Sequence, residues 1–249
     1  MKYKALMLDI DGTVTPNGRD GIPSKKVTEA IQKASKKVHV SLVTGRPLFL
    51  AKPIINHLQI SGPCIVTDGT QIYDPITKRF IYETPMKKEA ARKVYAILQR
   101  HQVNILVNDG RMESEDIDVE SPKRVFVIFV PSIPKATADM LITQFKNIPS
   151  VTAYKGVDWT PGMEYIAICD IKGTKLHGVM EVAKILNVDT KEIIGVGDGY
   201  NDFPLLLACG LKIAMGNAVP ELKAIADFIA PSVEEDGVAT VIEKFILNQ

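Results

Sequence analysis

The stretch Lys4-Ala5-Leu6-Met7-Leu8-Asp9-Ile10-Asp11-Gly12-Thr13 decides the fold, because a short apolar run ends abruptly in two acids and a glycine. Successive side chains of an extended segment alternate faces, so Asp9 and Asp11 start out on the same face. Two carboxylates at the end of a buried strand are costly unless a positive group lies between them. A divalent cation held by oxygens, with a phosphate as a further ligand, would supply that charge. The alternative is an ordinary strand end with solvated or turn-capping acids, and this stretch alone leaves both open.

Composition restricts the class of protein. The 249 residues are 46% hydrophobic and 24% charged, which is typical of a soluble globular chain with one large domain or two unequal ones. The net charge of +1 gives no electrostatic reason to expect a nucleic-acid or membrane partner. No apolar run is long enough for a signal peptide or a bilayer span. Three widely spaced cysteines in apolar surroundings indicate reduced thiols, so we expect a cytoplasmic protein.

The first third of the chain alternates strands and helices. After a plausible N-cap at Ser24, the residues Val27, Ala30, Ile31 and Ala34 recur at the spacing of one helix face. Further elements are expected at 38–43 (strand), 48–57 (helix), 64–67 (strand), and 70–73 with 79–83 (hairpin). This order predicts an α/β fold with a doubly wound parallel-sheet (Rossmann-like) core.

The pattern changes after residue 83. Helix-strand-strand occurs twice, with helices expected at 86–101 and 134–145 and strands at 103–107, 124–130, 151–154 and 164–169. The α/β pattern then resumes with a helix whose inward face we expect to be Leu176, Val179, Met180, Ala183 and Leu186. We therefore predict a core domain formed by 1–83 and 170–249, and an inserted α+β domain at 84–169.

Chemically capable side chains collect where the predicted strands end. In open parallel sheets ligands bind outside the carboxyl ends of the strands. The clusters at such ends are Asp9, Asp11 and Thr13; Thr44, Gly45 and Arg46; and Asp198, Asn201 and Asp202. Acids, an amide and hydroxyls are therefore expected to meet at one edge of the sheet.

This set of groups suits phosphoryl transfer. A carboxylate that attacks a phosphate dianion meets repulsion of about 4 kcal/mol per charge pair at 4 Å and an effective dielectric of 20. A Mg²⁺ ion held by the acids, together with a nearby ammonium, would offset that repulsion. The ammonium candidates are Lys172 and Lys175, although either would otherwise be an ordinary surface lysine.

Four motifs in order resemble the haloacid dehalogenase superfamily of phosphatases, in particular its Cof-like type IIB branch. They are D-I-D-G-T at Asp9, S-L-V-T-G-R at Ser41, I-K-G-T at Ile171 and G-D-G-Y-N-D at Gly197. Two later stretches, A-M-G-N-A and E-E-D-G-V-A, are also similar to that branch. Each motif is weak alone, but the four together span nearly the whole chain.

The resemblance implies roles for these residues. Asp9 would be the nucleophile that forms an aspartyl-phosphate, and Asp11 the general acid and then base. Thr44 would bind the transferring phosphoryl group, and Lys172, rather than Lys175, matches the family lysine that precedes a glycine. Mg²⁺ would be held by the Asp9 carboxylate, the Asp11 carbonyl and Asp198, with Asn201 and Asp202 around it in part through waters.

Substrate contacts are also implied. Gly45, Arg46 and Asn217 are expected near the phosphate, although Arg46 would equally pair with a neighbouring acid. The insertion would be a cap domain that excludes water and sets specificity. Two departures from the family pattern are Asp68-Gly69-Thr70, where many relatives have Asn-Gly-Ala, and Asp170, which precedes the third motif, I-K-G-T. The polar segment Arg111, Glu113, Glu115 and Asp116 is expected to be a solvated loop.

The sequence therefore predicts a Mg²⁺-dependent phosphatase of small soluble phosphomonoesters, such as a sugar phosphate or phosphoglycolate. Its expected partner is the phosphate ester alone, and its oligomeric state is open. One alternative is a phosphomutase or phosphotransferase acting on hexose phosphates. Another is a non-catalytic regulator that binds a phospholigand, although binding alone would not need both Asp9 and Asp11.

Overall fold

The computed structural model describes residues 2–18, 21–115 and 124–248. The first part of the chain forms β1 (Ala5–Leu8), α1 (Lys25–Ala34), β2 (His39–Leu42), α2 (Leu48–Leu58), β3 (Cys64–Val66), β4 (Gln71–Asp74) and β5 (Arg79–Glu83). The middle part forms α3 (Lys88–Arg100), β6 (Leu106–Asn108), β7 (Glu113–Ser114), β8 (Val127–Ile133), α4 (Lys135–Phe145), β9 (Val151–Val157) and β10 (Glu164–Asp170). The last part forms α5 (Lys175–Leu186), β11 (Ile193–Gly197), α6 (Phe203–Ala208), β12 (Leu211–Ala214), α7 (Pro220–Ile225), β13 (Phe228–Ile229) and α8 (Gly237–Ile242).

A five-stranded parallel sheet forms the centre of the molecule, in the order β13-β12-β11-β1-β2. Strand β1 pairs on one side with β2 and on the other with β11, so that Leu8 lies level with Leu42 and Val196. All four residues of β1 are buried, as expected of a central strand covered on both faces. The predicted α/β fold with a parallel sheet is confirmed.

Helix α1 follows the expected pattern. The Ser24 side chain accepts a hydrogen bond from the Val27 amide at 3.1 Å and caps the first turn. Val27, Ala30, Ile31 and Ala34 are all buried against the sheet. Burying a side chain the size of Ile31 contributes about 1.5–3 kcal/mol, so this apolar face fixes the helix on the sheet.

A small antiparallel sheet, β3-β4-β5, continues from the edge of the central one. Val43, just beyond β2, forms a parallel bridge with Ile65 of β3. The hairpin turn is closed by the Asp74 carboxylate, which accepts bonds from the Ile76 amide and the Thr77 hydroxyl. This arrangement brings the chain to the insertion at the end of β5.

The insertion is an antiparallel sheet of order β7-β6-β8-β10-β9. Its strands alternate faces, so Ile128 and Val130 pack with α3 and α4 in one apolar cluster, whereas Val127 and Phe129 point to the other face. The first cluster is separate from the apolar cluster around the central sheet. The insertion thus has its own core.

Strand β8 lies about three residues later than the sequence pattern indicated, at Val127–Ile133 rather than 124–130. Pro131 argues against a continuing strand because it cannot donate a ladder hydrogen bond. The pairing of β8 with β10 shifts register beside it, between Glu164 and Ile166, and an irregularity of this kind accommodates proline. β6 is likewise later, at Leu106–Asn108 instead of 103–107.

The three cysteines are free and buried, as expected. Among the described residues, no helix combines the length and apolar character needed to cross a bilayer.

Candidate active site

The end of β1 carries a buried ion pair. Asp9 follows the strand directly and is 5% exposed, and its Oδ1 accepts a hydrogen bond from Lys175 Nζ at 2.6 Å. The same ammonium donates to Asp202 Oδ1, also at 2.6 Å. Burial and Asp202 raise the pKa of Asp9, and Lys175 opposes that shift. Lys175 therefore supplies the positive charge expected beside the acids.

The structure corrects the choice of lysine. Lys172 is exposed, and its backbone amide bonds the Asp170 carboxylate, so its side chain does not join the cluster. Lys175 is 2% exposed and is the first residue of α5. The buried face of α5 is Lys175, Gly178, Val179, Val182 and Ala183, which is rotated from the expected face, and Met180 is 43% exposed. Lys175 therefore belongs to the buried face of α5.

Asp202 organises the loop after β11. Its Oδ2 accepts hydrogen bonds from the amides of Asp198 and Gly199, at 2.9 and 3.0 Å. With Oδ1 on Lys175, both oxygens of this fully buried carboxylate are used by protein groups. Asn201, on the same turn, is half-buried and directs its carboxamide oxygen over Gly199.

Asp198 faces the loop after β1. Its Oδ1 accepts a bond from the Thr13 hydroxyl at 3.1 Å, and its Oδ2 lies 3.3 Å from Asn217 Nδ2, which also donates to the Gly12 carbonyl at 2.8 Å. Gly12 has φ +73°, and a Cβ there would fall 2.2 Å from Asp198 Oδ2. Only glycine permits this approach. Asn217, expected at the phosphate, thus lies at the site and holds Asp198.

Three carboxylates fit a cation. Asp9, Asp198 and Asp202 each offer an oxygen, and these oxygens all lie within 4.8 Å of one another. Burial, reinforced by the charge of Asp202, raises the pKa of Asp198 to about 7, and the charge of Lys175 offsets only part of this shift. The backbone bridge between Asp11 and Thr15 uses the Ile10 carbonyl and the Gly12 amide, so this bridge does not occupy the Asp11 carbonyl. A hard divalent ion such as Mg²⁺ suits this all-oxygen donor set.

Asp11 and Arg46 form a bidentate ion pair. Arg46 Nε donates to Asp11 Oδ2 at 2.8 Å and its Nη2 donates to Oδ1 at 2.6 Å. Arg46 is 6% exposed and also donates to the Gly18 carbonyl at 2.8 Å. Of the two interpretations of Arg46, the structure therefore shows the pair with a neighbouring acid.

The turn after β2 is buried. Thr44 is 1% exposed, and its hydroxyl oxygen accepts a bond from the Arg46 amide at 3.1 Å. Gly45 leaves room for a neighbouring acid, because a Cβ there would lie 2.7 Å from Asp68 Oδ1. The expected residues of this turn are thus brought to the same edge of the sheet as Asp9.

Three groups at the site were given no role from the sequence. Asp68 lies two residues after β3, whereas Asp9 follows β1 directly, so a strand-end rule that allows one intervening residue would have found it. Tyr154 and Tyr165 come from β9 and β10 of the insertion, and no local pattern marks them. Burial, and after it the charge of Asp68, raises the pKa of Tyr165. Strand β9 contacts the turn Tyr200–Asp202, so the insertion lies beside the site. Asp116 of the polar segment lies outside the described residues, whereas Arg111 is exposed and Glu113 is half-buried.

The chain matches known proteins along nearly its whole length. The model of the haloacid dehalogenase-like hydrolase family matches residues 6–124 and 115–242. The putative phosphatase YkrA of Bacillus subtilis is 27% identical, over 98% of each chain. A phosphoglycolate phosphatase of Methanopyrus kandleri is 26% identical, over 97% of this chain and 96% of its own. The structure of the HAD subclass IIB sugar phosphatase BT4131 has a TM-score of 0.82 at 21% identity, covering 98% of this chain and 99% of its own.

Proposed function

Since the chain belongs to the haloacid dehalogenase-like hydrolases, which makes it a phosphoric monoester hydrolase, we propose that it hydrolyses small phosphate esters through an aspartyl-phosphate on Asp9. The observation that carries this proposal is the Asp9 carboxylate, which is buried, oriented by Lys175 and placed beside two further acids. A carboxylate held in one orientation at the end of a strand is a suitable nucleophile for phosphorus.

Asp11 has the complementary task. It would protonate the leaving alkoxide and then, as base, take a proton from the water that cleaves the aspartyl-phosphate. In this structure both of its oxygens are bonded to Arg46, so the acid step requires Asp11 to leave the guanidinium. We therefore propose that the main role of Arg46 is to position Asp11, and that a contact between Arg46 and the substrate is secondary.

Asp9, the Asp11 carbonyl and Asp198 would hold Mg²⁺ directly. Asp202 would not bind the ion directly, because protein donors already bond both of its oxygens. When bound, the ion supplies positive charge to the phosphoryl group and lowers its repulsion with Asp9. Thr44 and the backbone around Gly45 would bind phosphoryl oxygens, and Asn217 and Thr13 keep Asp198 in place.

The insertion, proposed as the cap domain at 84–169 with the core formed by 1–83 and 170–249, would exclude water. Its strand β9 contacts the turn Tyr200–Asp202 of the core. A closed cover of this kind strengthens the electrostatic interactions beneath it. We also propose that the enzyme acts in the cytoplasm on a small phosphate ester without a macromolecular partner.

The decisive experiment measures phosphate release from a panel of phosphate esters, with and without Mg²⁺, by the wild type and by Asp9→Asn. We expect Mg²⁺-dependent release by the wild type and none by the variant. Release from none of the esters, or equal activity of Asp9→Asn, would refute the mechanism. Hexose 1-phosphate in the panel tests the alternative, because a phosphomutase would form hexose 6-phosphate rather than free phosphate.

A further inference from the structure

Gln71 is a buried glutamine that the proposed mechanism does not use. It is the first residue of β4, and none of its surface is exposed. A carboxamide has an acceptor oxygen and two donor hydrogens, and these groups need partners when the side chain is buried. The partners of Gln71 therefore show which parts of the molecule this side chain holds together.

The carboxamide oxygen of Gln71 is bonded to the turn after β3. Thr67 Oγ1 donates to Gln71 Oε1 at 3.1 Å. The same turn is bonded to the loop after β2, because the Thr67 amide donates to the Arg46 carbonyl at 2.9 Å. The next amide, of Asp68, donates to the Thr44 carbonyl at 3.2 Å. Gln71 therefore holds the turn that supports the proposed phosphoryl-binding residues.

The turn Thr67–Gly69 needs such support because its backbone is strained. Its three residues have φ of 51°, 63° and 114°. For the two residues that are not glycine, a conformation of this kind persists only where neighbouring groups fix it. Thr70 provides one such contact, since its amide and its hydroxyl donate to the Thr67 carbonyl at 3.0 and 2.7 Å. Gln71 provides another at the Thr67 hydroxyl, so its loss would loosen the turn.

The amide group of Gln71 reaches the insertion. Its Nε2 donates to the Gly110 carbonyl at 3.3 Å and to Glu83 Oε1 at 3.0 Å. Gly110 lies between β6 and β7 of the insertion, whereas Glu83 is the last residue of β5. Two acceptors on one side and a hydroxyl on the other use both donors and the oxygen, which fixes the orientation of the carboxamide. One side chain thus bonds both the turn of the core and the insertion.

The loop 108–112 presents the Gly110 carbonyl to Gln71 in a fixed direction. The Gly110 amide donates to Asn108 Oδ1 at 2.7 Å, and Asn108 is 2% exposed. Gly110 has φ +91°, and a Cβ there would lie 2.6 Å from Phe126 Cε2. Only glycine permits this backbone so close to the ring. The insertion is therefore attached to the core at a defined point.

We propose that Gln71 is a positioning residue, which keeps the insertion in place over Asp9 by bonding the loop 108–112 to the turn Thr67–Gly69. Gln71 acts through these two segments and through the phosphoryl-binding residues that the turn supports. A substrate that meets an insertion already in place binds more tightly, because apparent affinity is proportional to the fraction of molecules in the competent state. This inference rests on the proposed function and adds a residue to it.

The first test replaces Gln71 by methionine, which has a similar length but can make none of the three hydrogen bonds. With p-nitrophenyl phosphate and Mg²⁺, we expect the KM of Gln71→Met to rise about tenfold and kcat to change by less than about threefold. A variant that is merely less folded behaves differently, since loss of folded enzyme lowers kcat and leaves KM unchanged. The backbone amides of segment 106–114 should exchange with deuterium about tenfold faster, while those of β1 and β11 keep their rates.

A double variant separates the bond to the insertion from the bond within the hairpin. Gln71→Glu combined with Glu83→Gln exchanges the two side chains, so that an amide at position 83 donates to a carboxylate at position 71. The Thr67 hydroxyl keeps an acceptor, but the Gly110 carbonyl loses its donor. We therefore expect KM to stay raised by about tenfold. A return to the wild-type KM would assign the effect to the hairpin and overturn the inference.

Gln144→Met is the matched control. The amide nitrogen of Gln144 lies 3.2 Å from His101 Nε2, and both residues belong to the insertion, so KM and the exchange rates should stay at wild-type values. If Gln71→Met does not fold, the double variant decides alone. An unchanged KM in the folded variants, or an equal rise in the control, would overturn this inference and leave the phosphatase proposal intact. Failure of the wild type to hydrolyse p-nitrophenyl phosphate would overturn both.

Discussion

Lys175 Nζ lies 2.6 Å from Asp9 Oδ1 and equally close to Asp202 Oδ1, so that one ammonium joins the start of the chain to its fourth motif. Burial is nearly complete for all three groups. Removing one partner of such a cluster leaves uncompensated charge, whereas the intact cluster orients the carboxylates.

Replacing Lys175 tests which lysine serves the site. Lys175→Met should lower kcat by roughly 100-fold or more and lower the free energy of unfolding by about 3–5 kcal/mol, because two buried acids lose their cation. Steady-state kinetics and urea unfolding measure these effects. Lys172→Met is the matched control and should change kcat by less than about twofold, since its side chain is exposed. A larger effect at Lys172 would restore the family-based assignment.

Gly12→Ala tests the close approach to Asp198. The added methyl group would occupy the place of Asp198 Oδ2, so we expect Mg²⁺-supported activity to fall by about 100-fold or more. Gly162→Ala is a suitable control, because Gly162 has a similar φ of +78° but no atom within 4 Å of the added carbon. It should cost only about 1 kcal/mol of unfolding free energy and no activity. Equal loss in both variants would mean that backbone strain, and not displacement of Asp198, causes the defect.

The two acids Asp11 and Asp198 should differ in their effect on metal binding. Asp198→Ala should weaken Mg²⁺ binding about tenfold or more, since it removes a carboxylate ligand. Asp11→Ala should largely keep Mg²⁺ affinity, because its carbonyl is the proposed ligand, while kcat falls by about 10²–10⁴-fold. Isothermal titration calorimetry and kinetics on the same preparations separate the two effects. Comparable loss of Mg²⁺ affinity in both variants would contradict the carbonyl assignment.

Asp68 should make stability depend on pH. Its pKa is about 6 in the folded protein against 3.8 ordinarily, so the unfolded chain releases the proton first as pH rises. The contribution of Asp68 is fully present below about pH 4 and is lost by about pH 7, a change on the order of 3 kcal/mol. The stability of Asp68→Asn relative to the wild type should therefore rise between pH 4 and pH 7. Urea unfolding in EDTA at each pH measures this difference, and a constant difference would contradict the shifted pKa.

The central sheet was predictable because its signals are local. Alternation of short apolar runs with helix-spaced residues, and acids placed directly after strands, indicated both the parallel sheet and the edge where Asp9, Asp198 and Asp202 meet. The wrong lysine followed from matching the family lysine to the one that precedes a glycine. The face expected for α5 was also rotated, and the face that the structure buries includes Lys175. Tyr154 and Tyr165 could not be found in this way, because the packing of the insertion on the core, and no sequence period, brings them to Asp68.

Asn217 determines when the site can form during synthesis of the chain. Its amide group donates to Gly12 and Asp198, and its carbonyl oxygen accepts from the Val233 amide at 2.8 Å. These contacts join Gly12 to residues that lie about 200 positions later in the chain. A ribosome-bound chain that already carries its nucleophile therefore lacks a fixed cation ligand until Asn217 and Val233 have emerged. The protein should be inert toward phosphate esters until that point of its synthesis.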